Sequence, residues 1–145
     1  MRVTRTDWGF PLPRDAHAVA IMRIVPVTVL IVDDDVSFRA LAARAMQAHG
    51  LTVVGEAGAA EEGAEAARRL RPDAVLVDVG LPDGSGIALA ADLAALPWSP
   101  QVVVISSDAE FAGATRPGPN GTQLPFVTKE TLASSRLAEL LGARP

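Results

Sequence analysis

Four apolar runs punctuate the chain, and each ends on a polar residue. Val27-Thr28-Val29-Leu30-Ile31-Val32 stops at Asp33-Asp34-Asp35, Ala74-Val75-Leu76-Val77 at Asp78, Val102-Val103-Val104-Ile105 at Ser106-Ser107, and the short Phe126-Val127-Thr128 at Lys129. Short runs without apolar/polar alternation read as strands buried on both faces, as in a parallel sheet. The segments between them read as helices. Val36 to His49 is a helical stretch closed by Gly50, and Leu51 to Val54 is a further strand ending near Gly55. Ala60 to Leu70 is an Ala/Glu/Arg-rich helix stopped by Pro72, Ile87 to Leu96 is one ended by Pro97, and a final helix spans Thr131 to Leu141. Gly and Pro fall where helices must stop. Regular β–α alternation predicts an α/β fold, a doubly wound five-stranded parallel sheet with helices on both faces.

The rhythm breaks twice. After Ser107 the stretch Pro117-Gly118-Pro119-Asn120-Gly121 cannot continue a helix, so at most a turn or two is expected around Asp108 to Ala114 and the fourth helix is short or missing. Residues 1–26 carry Trp8, Phe10, several prolines and both charge signs without any period. They read as a poorly ordered extension, with Met22 an alternative start; 27–141 is the single folded domain and 142–145 a tail. Read as it stands, the chain has no room for an output domain.

Composition narrows the function classes. The 145 residues are 49% hydrophobic and 21% charged with a formal net charge of −4, enough chain for one core. Lys and Arg are scattered, so no basic stripe suggests nucleic-acid binding. The absence of cysteine excludes a disulfide framework, thiol catalysis and a cysteine zinc site. His17 and His49 have no metal-ligand partner at useful spacing. Ala18 to Val32 is interrupted by Arg23, Pro26 and Thr28, too short and polar to span a membrane. No signal-peptide core precedes it, so a cytoplasmic location is expected.

The strand ends carry the chemistry. In an open α/β sheet, ligands bind outside the carboxyl ends of the strands. There the sequence delivers clustered carboxylates, a lone carboxylate, a hydroxyl and an ammonium to one rim. Two like charges about 4 Å apart in a partly shielded site repel by about 4 kcal/mol, so the aspartates call for a cation, Mg²⁺ above all. Positioning plus charge neutralisation is what phosphoryl transfer requires. Each residue alone has a plainer reading: Asp35 as the cap of the helix starting at Val36, Asp83-Gly84 as turn formers, Ser106 and Lys129 as ordinary strand-end groups, Phe126 as core, Trp98 as loop packing.

Taken together in this order, the four strand ends and the turn Val77-Asp78-Val79-Gly80-Leu81-Pro82-Asp83-Gly84-Ser85-Gly86 resemble the receiver domain of two-component response regulators over about Val27 to Leu141. The resemblance implies that Asp33 and Asp34 hold Mg²⁺ together with Asp78 and the Gly80 backbone carbonyl. It implies that Asp78 accepts a phosphoryl group from a sensor histidine kinase or phosphotransfer protein, that the Ser106 hydroxyl and Lys129 ammonium contact that group, and that Phe126 is the switch aromatic. A downstream partner protein would read the resulting change of shape, and a homodimer is possible within the family. The sequence departs from the family pattern at the fourth helix, which with the fifth strand and the last helix forms the face through which the family commonly dimerises and docks partners.

Three alternatives stay open from the residues alone. One is an atypical receiver acting as a phosphorylation-independent interaction module, favoured by the degenerate fourth helix. Another is a fragment of a DNA-binding response regulator. The third is a phosphatase or mutase of the haloacid dehalogenase type, which requires Asp-x-Asp-x-Thr/Val, whereas Asp33-Asp34-Asp35-Val36 is followed by Ser37.

Overall fold

In the computed structural model, which describes residues 25–108, 115–117 and 123–143, the apolar runs form the centre of one sheet. Its strands are β1 (Thr28–Val32), β2 (Thr52–Ala57), β3 (Ala74–Asp78), β6 (Gln101–Ser106), β7 (Thr115–Pro117) and β8 (Gln123–Thr128), in the order β2-β1-β3-β6-β8-β7. Pairings β1·β2, β1·β3, β3·β6 and β6·β8 are all parallel, which gives the five-stranded doubly wound sheet that the alternation predicts. Two very short strands, β4 (Gly80–Leu81) and β5 (Gly84–Ser85), pair as an antiparallel ribbon around the Pro82-Asp83 turn.

Strand alternation sends successive side chains to opposite faces, and the core divides accordingly. Val29, Ile31, Leu76, Val103, Ile105 and Val127 pack under α1 (Val36–Ala48) and α4 (Ser135–Leu140). Leu30, Val32, Val75, Val77, Val102, Val104 and Phe126 pack under α2 (Ala60–Leu70) and α3 (Gly86–Ala94). Each fully buried aliphatic side chain contributes about 1.5–3 kcal/mol relative to exposure. Helix α1 lays Phe38, Ala42 and Met46 on the sheet at a spacing of four, one stripe of an amphipathic helix.

The caps explain where the helices begin and end. Asp35 Oδ1 accepts from the Ser37 and Phe38 amides at 2.9 and 3.2 Å, so Asp35 is the N-cap of α1, while Gly50 at φ +82° turns the chain out of it. Helix α2 has no cap of its own at Ala59. Its first amides, from Ala60 and Glu61, instead donate to the carboxylate of Asp83 at 2.6 and 3.0 Å. Trp98 packs at its loop, with the indole N–H donating to the Pro72 carbonyl at 2.9 Å.

The structure differs from the sequence reading at β2, at β8, at the last helix and at the sheet edge. Strand β2 extends to Ala57, paired there with Val32 of β1, and β8 begins at Gln123, paired there with Pro117 of β7, so each runs beyond its apolar core. The last helix is only Ser135–Leu140, preceded by a 3₁₀ turn at Lys129–Thr131. Hydroxyls cause the break: Thr131 Oγ1 donates to the Thr128 carbonyl at 2.6 Å, and Ser134 Oγ donates to the Thr131 carbonyl and caps the amide of Leu137. A sixth, antiparallel strand, β7, adds to the edge beside β8, pairing Thr115 with Pro125 and Pro117 with Gln123. The expected extension at 1–26, the reduced helix around Asp108 to Ala114 and the Gly118 to Gly121 stretch fall mostly or wholly outside the described residues. No helix among the described residues is long and apolar enough to cross a membrane.

Candidate functional site

The parallel register sets the carboxyl ends of β1, β3, β6 and β8 side by side. Val32 lies beside Val77, Asp78 beside Ile105, and Ser106 beside Thr128, so Asp33, Asp78, Ser106 and Lys129 emerge on one rim. The connections leaving the neighbouring strands β1 and β3 run to opposite faces of the sheet, α1 on one and α3 on the other, which makes this the switch point at which such folds open a crevice.

Asp33 is fully buried and Asp34 exposed, while Asp78 is 8% exposed. One carboxylate oxygen from each lies within 4.8 Å of the others, the cluster among the described residues with metal-ligand geometry. Asp33 is held from several sides. Its amide donates to the Ala57 carbonyl at 2.9 Å, its Oδ1 accepts from the Asp35 amide at 2.8 Å, and its carbonyl accepts from Arg39 Nη1 at 2.6 Å. Arg39 is itself anchored by Glu56 at 3.1 Å.

Lys129 closes the cluster from β8. Its Nζ stands 2.8 Å from Asp33 Oδ2 and 3.9 Å from Asp78 Oδ1. The same ammonium lies over the Phe38 ring, 4.3 Å from its centroid. Asp33 Oδ2 is buried and meets the Lys129 ammonium as a charge partner without a well-aligned hydrogen bond, so its lone pairs are not fully used. A hard cation that takes carboxylate and carbonyl oxygens fits that donor set.

Burial pushes the Asp78 carboxyl up from 3.8 to about 6, and the negative charges of Asp33 and Asp34 add to the rise. Lys129 and the Gly80 backbone N–H, which hydrogen-bonds the carboxylate, pull the other way. Asp78 is thus the perturbed acid of the rim. Ser106 is buried at the end of β6, where its hydroxyl accepts from the Asp108 amide at 3.0 Å. Phe126 lies on the opposite side of the sheet from Lys129, 1% exposed in the core under α3.

Sequence reasoning missed four residues that build this rim: Phe38, Arg39, Asp83 and Gly86. Asp83 and Gly86 stand in the turn singled out after Asp78, so their neighbourhood was legible while their contacts were not. Phe38 and Arg39 carry no signal beyond their place one turn into the helix that follows the aspartates.

The family model for the response regulator receiver domain matches residues 29–132. The chain belongs to that family. Among curated relatives of this receiver, the probable transcriptional regulatory protein TcrX of Mycobacterium tuberculosis is 35% identical over 77% of this chain and 49% of its own length. A protein-glutamate methylesterase/protein-glutamine glutaminase of Myxococcus xanthus is 33% identical over 82% of this chain and 35% of its own. The receiver thus spans about a third to a half of the length of these relatives. Among solved structures, the response regulator domain of Thermotoga maritima CheB superposes with a TM-score of 0.63 at 23% identity, covering 82% of this chain and 96% of that one. A chain of the CheX-CheY-BeF₃-Mg²⁺ complex of Borrelia burgdorferi gives 0.56 at 23% identity, covering 61% and 67%. These two likenesses establish the fold. Receiver domains are signalling domains, and the methylesterase relatives extend well beyond the part that matches.

Proposed function

We propose that this receiver accepts a phosphoryl group on Asp78 from the phosphohistidine of a sensor kinase or phosphotransfer protein and passes a conformational signal to a partner protein. The observation that carries the reading is the Asp33–Asp34–Asp78 cluster with Lys129 against it. A carboxylate oxygen of Asp78 forms the new P–O bond while the P–N bond to the donor imidazole breaks, and the imidazole leaves with its electron pair and takes up a proton. The product is an acyl phosphate on Asp78.

Asp33, Asp34, Asp78 and the Gly80 carbonyl are the groups that would hold Mg²⁺, which when bound supplies neutralising charge for the incoming phosphoryl oxygens. The protein's own residues do the rest. Asp78 ionises with a carboxyl near pH 6, so at neutral pH it is the anionic nucleophile. Lys129, already 3.9 Å from its carboxylate, has the charge and reach to pair with a phosphoryl oxygen. The Ser106 hydroxyl can donate to another, since in the structure it is engaged as an acceptor from Asp108. Val104 and Phe126 are register partners on neighbouring strands, so movement at Ser106 reaches Phe126 through two residues of strand on the same face. Phe126 is accordingly assigned the role of switch aromatic.

The test is phosphate incorporation from acetyl phosphate, read by intact mass, with and without Mg²⁺, on wild type and Asp78→Asn. Mg²⁺-dependent labelling lost in Asp78→Asn is the expected result. Absence of labelling in a folded wild type would turn the reading to a phosphorylation-independent interaction module.

A further inference from the structure

The contact between Phe38 and Lys129 lies outside the rim set that the sequence delivers at the strand ends. We infer that Phe38 is a positioning residue: the face of its ring holds the Lys129 ammonium at the mouth of the cluster between Asp33 and Asp78, ready to engage a phosphoryl group. The inference rests on the phosphoacceptor reading of Asp78 and adds a residue to it.

Three observations converge on this placement. The ammonium sits 4.3 Å from the ring centroid, inside the range where the negative face of an aromatic ring attracts a cation. The side chain of Lys129 is 22% exposed on a flexible stem, and the ring adds a further contact to a head that pairs with Asp33 at 2.8 Å and stands 3.9 Å from Asp78. Phe38 itself cannot drift. Its amide is tied to the Asp35 cap at 3.2 Å, and the residue is buried on the inner face of α1, in the same core cluster as Ala42, Val127 and Leu137.

The arrangement links the two helices that flank this face to the chemistry at the rim. Asp35 caps α1, the cap fixes Phe38, and Phe38 fixes the head of a lysine delivered by β8. Placing a cation before the reaction removes reorganisation that would otherwise accompany charge development. A leucine or methionine at 38 would fill the core without offering a quadrupole.

The experiment replaces Phe38 with 4-fluoro-, 3,5-difluoro- and 3,4,5-trifluorophenylalanine in the full chain, which keeps the shape of the ring while draining its face of negative potential. Two readouts are taken. The first is the ring-current upfield shift of the Lys129 ε-methylene protons by NMR in the unphosphorylated protein. The second is the initial rate of Mg²⁺-dependent labelling by acetyl phosphate, also measured for Phe38→Leu in wild-type and Lys129→Ala backgrounds. The expected result is an upfield shift in wild type that is lost in Phe38→Leu, with labelling falling stepwise along the fluorine series by about three- to tenfold in total. Phe38→Leu should slow wild type and leave Lys129→Ala unchanged. A labelled wild type with no ring-current shift, no gradient along the series, or an equal Phe38→Leu effect without Lys129 would overturn the inference. An unlabelled wild type that keeps the shift overturns the phosphoacceptor reading and leaves the contact standing.

Discussion

Gly86 lies against the main-chain carbonyl of Asp78, so close that a Cβ at position 86 would overlap the carbonyl oxygen. The Gly86 amide donates to the Val79 carbonyl at 3.0 Å, which closes the turn after β3 and starts α3 under the Ser85 cap. Helix α3 therefore begins in contact with the backbone of the candidate phosphoacceptor. Only hydrogen fits in that gap.

Gly86→Ala should consequently cost more than an ordinary overpacking change, about 3 kcal/mol or above, because backbone and not a flexible side chain must yield. Urea unfolding at pH 7 checks the value. The same variant should label poorly on Asp78 where any of it remains folded. An alanine variant as stable as wild type would show that α3 can slide away from β3 without strain.

Asp78 itself should trade stability for function. Its carboxyl in the folded protein, at about 6, lies above the ordinary 3.8, so the folded state holds the proton more tightly than the unfolded chain does. The stabilisation from that proton is complete below pH 3.8 and is lost as the pH rises through about 6. At neutral pH the ionised group is a net cost, about 1 kcal/mol once solvent screening at the rim is allowed for. Asp78→Asn removes the charge and should raise the unfolding midpoint at pH 7 by a few degrees. The gain over wild type should shrink between pH 6 and 4, as followed by thermal melts across that range. A constant gain would place its origin elsewhere than in the charge.

Asp83 works in the opposite sense. Its carboxylate caps α2 from the turn between β4 and β5, and the Glu61 and Ala60 amides hold the carboxyl below its ordinary value. Such a group contributes stability that is present above the unfolded pKa and lost as the pH falls through the folded one. Asp83→Ala should lower the midpoint at pH 7, with the gap to wild type closing in acid. Asp83→Asn, which still offers an accepting oxygen, should fall between the two. Melts of the three proteins at pH 7 and in acid would show whether the cap or merely the turn is at stake.

How far the sequence discloses this molecule depends on the kind of contact. The strand ends at Asp33, Asp78, Ser106 and Lys129 are legible because each apolar run ends on a polar or charged residue, and parallel pairing then brings those ends together. Helix α2 is legible to the residue, bounded by its own Ala/Glu/Arg pattern and Pro72. Contacts joining distant segments are not. Asp83 caps a helix that starts 23 residues earlier, which no local preference can announce. The short α4 escaped notice because Thr131 and Ser134 are tolerable inside a helix, and only their hydrogen bonds to preceding carbonyls reveal the break. Phe38 carries no signal beyond its place in α1, and its contact with Lys129 depends on where β8 ends.

Asp34 separates metal binding from folding more cleanly than its neighbours do. Asp33 is buried and paired with Lys129, and Asp78 is buried with a perturbed carboxyl, so changing either disturbs the folded state directly. Asp34 is exposed yet contributes a carboxylate to the three-aspartate cluster. A ligand that binds only the folded state stabilises it by mass action, about 2.7 kcal/mol at a hundred times its dissociation constant. Millimolar Mg²⁺ at pH 7 should therefore raise the melting temperature of wild type. In Asp34→Ala the metal-free stability should stay within about 0.5 kcal/mol of wild type, as expected for an exposed site, while most of the Mg²⁺-induced rise disappears. Acidification below about 6 should erase the rise in wild type as well, because protonation of Asp78 removes one of the three carboxylates. A Mg²⁺ effect of equal size in wild type and Asp34→Ala would place the ion away from this rim.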